Sequence, residues 1–203
     1  MKNEIEIPKT AIVTIGFLTL GVVMLLSLAL ISCGSKEEPV KNSEEIANES
    51  NDSKLAVPLI TEADFLVNAA IISLKEIQLG QLAQSNGSIE EVKGLGKMME
   101  KEHTEMLKNL GTLAAKKQIT LPKSLTGTEL EEYEKLQKLA GVDFDKEYCA
   151  MMVKGHQDAI GKFDKASIET YDADIKSWTE SNLPALRNHL DHAMACQAKV
   201  ETK

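Results

Sequence analysis

Four long segments of this chain repeat their apolar residues at helical spacing, and that pattern leaves an all-α fold as the natural architecture. From Thr61 to about Ser85 the inner row is Phe65, Ala69, Ile72, Glu76, Leu79 and Ala83. From Ile89 to Lys117 it is Val92, Leu95, Met99, His103, Met106, Leu110 and Leu113. From Asp143 to Thr170 it is Phe144, Tyr148, Met152, His156, Ile160 and Phe163. The last segment carries Ile175, Trp178, Leu183, Leu186, His189, Leu190, Ala193 and Cys196. Steps of three and four place each row on one helix face, whereas strand-type alternation is scarce. Ala, Leu, Lys, Glu and Met are abundant and aromatic residues make up 4% of the chain, which agrees with an all-helical domain. Each row also contains a single inward polar residue: Glu76, His103, His156 or His189.

The punctuation between the rows suggests the connections. Thr61 with Asp64 reads as the N-cap of the first segment, and Asn86-Gly87 as its end. Ser88 to Glu91 caps the second, in which Gly94, Gly96 and Gly111 allow close approach of a neighbour. Leu121-Pro122 ends that segment. Thr126 to Ala140 then forms a short helix on the link, capped by Thr128 with Glu131 and closed by Gly141. Tyr171 to Asp174 is a short turn, and Pro184 predicts a kink in the last helix. Short, long and short links imply a four-helix bundle, expected here as up-down-up-down with the extra helix on the long crossover.

Register then brings residues to one height. His156 and His189 are equidistant from a turn midway between Asp172 and Ala173, and so are Cys149 and Cys196. Each cysteine is seven residues from its histidine, about 10 Å along the axis. If the second and third segments run antiparallel, His103 lies fourteen residues from the end of one and His156 thirteen from the start of the other, at similar height. Glu76 fits less well. A turn centred on Asn86-Gly87 places Ala70 opposite His103 and leaves Glu76 six residues away, roughly 9 Å.

Two readings compete for the histidines. Each is a core residue hydrogen-bonded to a neighbour, or the three share a transition-metal ion, since neutral imidazoles are metal ligands and bundle cores are where such ligands converge. A carboxylate such as Glu76 would fix a tautomer or act as a further ligand. His192 falls off the row and reads as a solvated boundary residue. Met98, Met99, Met106, Met151, Met152 and Met194 read as fillers of an irregular core, although thioethers also suit copper(I). Cys149 and Cys196 read either as two reduced core residues or as a disulfide. The bond would close a loop of 47 residues, for roughly 4 kcal/mol of stabilisation at most. The sequence contains no nucleophile–base pair, phosphate loop or nucleotide fingerprint, so no catalytic residue is assigned. A net charge of −8 without a basic patch argues against nucleic acid as a partner.

Residues 11–32 are apolar and uncharged, long enough to span a bilayer. They end in Leu30-Ile-Ser-Cys33, which resembles a bacterial lipobox. That resemblance implies that 1–32 is a removed signal peptide and that Cys33 carries lipid. The other reading is a retained anchor, and both place the domain outside the cytoplasm. Residues 33–60 are acidic and apolar-poor, expected as a flexible tether, with the bundle domain at 61–200.

Taken together, Glu76-x-x-Leu79 with Ala83, Met98-Met99 with His103, His156, and Leu183-Pro184-x-Leu186-x-x-His189-Leu190 resemble a family of bacterial envelope proteins. It is the domain-of-unknown-function family numbered 4142, often labelled predicted outer membrane protein, and the likeness covers roughly Thr61 to Gln197. It implies a ferritin-like helical bundle, here tethered to the outer membrane. The di-iron pattern of that fold needs two Glu-x-x-His helices. Glu100 with His103 satisfies it, but Leu186 stands three before His189, and Glu147 is far from the level of His156. The expectation is therefore a lipid-anchored, non-catalytic bundle that binds a metal through His103, His156 and His189 with Glu76 nearby. The rivals are a structural or partner-binding bundle and a degenerate di-iron-type redox enzyme. Replacing Cys33 with alanine is expected to leave an unprocessed precursor, read from intact mass and the absence of acyl chains; normal maturation of that variant would exclude the lipobox.

Overall fold

Six helices make up the regular structure of the computed structural model, which describes residues 41–202. They are α1 (Ser43–Lys54), α2 (Val57–Asn86), α3 (Glu90–Lys117), α4 (Gly127–Gln137), α5 (Gly141–Glu169) and α6 (Ala173–Glu201). The described residues contain no strand, as the periodicity predicted, and belong to one compact unit. The leader and Cys33 lie outside the described residues. Among those described, no helix is long and apolar enough to cross a membrane.

The four long helices form two hairpins, α2–α3 and α5–α6. Contacts of α3 with α6 and of α2 with α5 complete the ring. Their directions differ from the expected alternation. Ser88, at the start of α3, donates its backbone N–H to Asp145 near the start of α5 at 2.9 Å. Glu62, early in α2, accepts the backbone N–H groups of Tyr171 and Asp172 beyond the end of α5. Hence α3 and α5 are parallel, and the order is up-down-down-up rather than up-down-up-down. The physical reason lies in the link, residues 118–140, which is long enough to climb back along the bundle. On its way α4 rests on α2 and α5, buries Leu136, and pairs Glu132 with Lys75 at 2.6 Å. Height arguments could not separate the two topologies, because His103 sits near the middle of its helix and keeps its level in either direction.

The expected tether is also revised. Residues 43–54 are helical, begun by a capping box in which Asn42 accepts from the backbone of Glu44 and Glu45 and the Glu45 side chain returns to the Asn42 N–H. Ala47 packs on Val67 and Ile71 of α2, which explains why α2 is apolar beyond a single stripe. Asn51 is buried and clasps the crossover, donating to the Thr120 carbonyl at 3.0 Å and accepting the Thr120 N–H at 2.7 Å. A short helix with few apolar residues is thus held to the crossover by a buried amide that is satisfied on both sides.

Several local expectations shift as well. With α2 starting at Val57, Thr61 lies inside the helix instead of capping it. Ile89 is the N-cap of α3 without a side-chain bond, because Ser88 is committed to Asp145. Thr126, not Thr128, is the N-cap of α4, and Gly141 opens α5 with φ +60. Pro184, where a kink was expected, is exposed and lies within one continuous helix, which does not restart there.

Gly80 and Gly96 make the tightest helix approach. A Cβ on either glycine would stand 2.6 Å from the other's carbonyl oxygen. Gly94 and Gly111, by contrast, face open space. Gly96→Ala is therefore expected to destabilise by about 1–3 kcal/mol through overpacking, and Gly94→Ala to stabilise by about 0.5–1 kcal/mol. Chemical denaturation of the two variants checks the opposite signs.

Candidate metal centre

The apolar core is split into two clusters. One contains Leu79, Met99, Tyr148, Met152 and Ala193; the other contains Ala69, Met106, Phe163 and Leu186. The layer between them is polar. His103 of α3, His156 of α5 and His189 of α6 are each at most 1% exposed, and Glu76 of α2 is 2% exposed. Ring centroids lie 5.6 Å apart for His103–His156, 5.1 Å for His103–His189 and 5.2 Å for His156–His189. One ligand atom from each histidine can be chosen so that all lie within 4.8 Å of one another. Nitrogens bound to one ion at about 2.1 Å in tetrahedral geometry stand about 3.4 Å apart, so shifts of roughly an ångström would close the set.

The outer bonds decide which nitrogens are free. His156 Nδ1 donates to the Met152 carbonyl at 2.9 Å, which leaves the lone pair on Nε2. His189 Nε2 donates to the Glu102 carboxylate at 2.8 Å, which leaves the lone pair on Nδ1. Both nitrogens of His103 lack a partner among the described residues, as do His156 Nε2, His189 Nδ1 and Glu76 Oε2, all buried. Each such atom costs about 1–3 kcal/mol when nothing meets it. A single cation among them would satisfy several at once.

Burial, then the neighbouring His156 and His189, push His103 well below the ordinary histidine range. His189 is also lowered, by burial first, with the bond to Glu102 working against it. Burial raises Glu76, partly offset by His156 and Lys75. Two of the three imidazoles are thus held neutral, the form that binds metal.

Glu76 reaches this layer because the α2–α3 turn is lopsided. Contact of Gly80 with Gly96 and with the backbone of Glu100 sets a pairing that puts Glu76 near the level of His103. Centring the turn on Asn86-Gly87 ignored Ser88 and the extended Ile89, which belong to it. One oxygen of Glu76 faces Gly155, where a Cβ would meet it at 3.4 Å. Its carboxylate is not in the converging set of three, but it is near enough to His156 for that imidazole to act on its pKa. Glu100 takes no part. Gln81 and Gln84 donate to its carboxylate and hold its pKa down, so the Glu-x-x-His pattern of α3 is not assembled. His192 and Met194 are exposed, while Met99, Met152 and Met106 pack in the apolar clusters. Glu102, the partner of His189, escaped the sequence reading because it lies off the α3 stripe; its position beside His103 was the one available signal.

The Cys149 and Cys196 sulfurs lie 2.7 Å apart within the cluster on the α3 N-terminal side of the layer.

Because the folded pKa of His103 is depressed, the unfolded chain binds more protons below about pH 6.5. The stability this group contributes is full above that pH and is lost as pH falls towards the folded value. Metal-free protein melted at pH 7.5 and pH 5 should therefore lose less Tm in the His103→Gln variant than in the wild type. Equal losses would contradict this environment for His103.

The family model described as "Domain of unknown function (DUF4142)" matches residues 46–196, a span that includes most of α1 and all four polar residues of the layer. No curated protein and no solved structure matches the chain.

Proposed function

The chain belongs to the DUF4142 family, and from that premise we propose that it is an envelope-anchored, ferritin-like four-helix bundle that binds one divalent transition-metal ion on His103, His156 and His189. The observation that carries the reading is the approach of three imidazoles in one buried layer, each with at least one nitrogen that has no partner among the described residues. Two further features support it. His156 and His189 each commit their other nitrogen to a carbonyl or a carboxylate, the arrangement that orients ligating histidines. A single long crossover between two hairpins is the connection of ferritin-like bundles.

Glu76 supplies a fourth ligand or takes a hydrogen bond from a ligand of the ion, and its negative charge offsets the cation in a buried site. Three imidazoles suit zinc, copper, iron or nickel. One ion fits better than two, because the bridging carboxylates of a di-iron centre are not among the converging ligands. The role is storage, delivery or structure rather than turnover. The apolar run 11–32 and Leu30-Ile-Ser-Cys33 support lipid attachment at Cys33, with the domain on the envelope side.

Protein purified without a histidine tag, stripped with chelator and titrated with each metal in turn, tests the proposal. About one ion per chain is expected for at least one metal, with a rise in Tm of roughly 5–10 °C at a hundredfold excess over Kd. His103→Ala, His156→Ala and His189→Ala should each abolish binding, and the triple variant should be no worse than a single one. Glu102→Gln should weaken affinity about 10–100-fold without abolishing it. A wild type that takes up none of these metals would leave a purely structural bundle.

A further inference from the structure

One buried cysteine pair lies outside the proposed metal layer. Cys149 of α5 is 0% exposed and Cys196 of α6 is 4% exposed, and their sulfurs are in direct contact at 2.7 Å. A covalent bond of about 2.05 Å would need the sulfurs to close by less than an ångström. The two sulfurs differ in their surroundings. Cys196 lines a surface groove between α3 and α6, together with Glu91, Gly94, Met98, His192 and Lys199. Gly94 faces open space in that groove, since nothing lies within 4 Å of a Cβ built there. Cys149 is sealed behind Cys196, next to Phe144, Tyr148 and Met152 of the apolar cluster.

We propose that Cys149 and Cys196 are a redox-active pair, converted to an intramolecular disulfide by exchange with an external low-molecular-weight disulfide that enters through the α3–α6 groove. The Cys196 thiolate attacks one sulfur of the incoming disulfide. That S–S bond breaks, and its other half leaves as a thiolate that takes up the proton given by Cys196. Cys149 then loses its proton and attacks Cys196 Sγ, displacing the second half as a thiol. Two thiols of the chain lose two electrons and one external disulfide becomes two thiols. Cys196 is the entry sulfur because it borders the groove, and Cys149 resolves the mixed disulfide because it is already in contact. The Cys149 thiol is held high by its hydrogen bond to Cys196 and by burial, which agrees with its acting second. The bond would tie α5 to α6 seven residues from both His156 and His189, whether or not a metal binds.

The full chain, reduced and then exposed while folded to oxidised glutathione, tests this by peptide mapping. A Cys149–Cys196 cross-linked peptide is expected, preceded by a transient glutathione adduct on Cys196. The Cys149→Ala variant should accumulate that adduct, and Gly94→Phe should slow its formation several-fold. The oxidised wild type should melt roughly 5–15 °C above the reduced form. Two thiols that remain alkylatable after unfolding, an adduct on Cys149, or a linkage to Cys33 would each overturn the proposal.

Discussion

Everything in this bundle is arranged around the cost of burying one polar layer. Glu76, His103, His156 and His189 sit where an ordinary bundle would carry Leu or Ala, and they divide the core into two apolar clusters. Desolvation alone explains the direction of the shifts: His103 and His189 are driven towards the neutral form and Glu76 towards protonation. The carbonyl of Met152 and the carboxylate of Glu102 each satisfy one nitrogen and leave the other without a partner among the described residues. A layer in which several buried polar atoms have no partner among the described residues is poorly explained by packing. The cation proposed above would meet several of them at once.

Such a layer requires fixed heights, and the bundle fixes them at its ends and at one crossing. Asp145 ties the α2–α3 turn to α5, while Glu62 and the Lys117–Asp172 pair tie the α5–α6 turn to the opposite ends of α2 and α3. The Gly80–Gly96 approach sets the sliding position of α2 on α3. These polar ties are worth modest energies one by one, but each excludes a register shift that would move a histidine out of the layer.

The crossover and α1 act as a second tier. Asn51 and Thr120 bind them to each other, and Ala47 covers the outer face of α2. That arrangement buries a second side of α2, which accounts for the imperfect stripe in its sequence. Val67 and Ile71 meet α1 while Leu66 and Ala70 face the bundle core, so the helix buries residues on more than one side.

The sequence by itself determined the helical class, the extents of the long helices to within a few residues, and the inward direction of His103, His156 and His189, because a helical period is a local property that each segment carries alone. It also determined the α5–α6 register, since that turn is short and leaves little choice of pairing: His156 meets His189, and Cys149 meets Cys196. Only the tertiary structure decided the rest. The direction of α5 relative to α3 depended on a long link whose path is set by where Leu136 and Lys75–Glu132 find contact. Glu76 joined the layer because the Gly80–Gly96 contact moved the α2–α3 pairing away from the apparent turn centre. Helix α1 was masked by its polar composition, although Asn42-Ser-Glu-Glu45 carried the signature of a capping box. Its stability comes from Asn51 meeting Thr120, 69 residues away in the chain, and no local pattern records a partner at that distance.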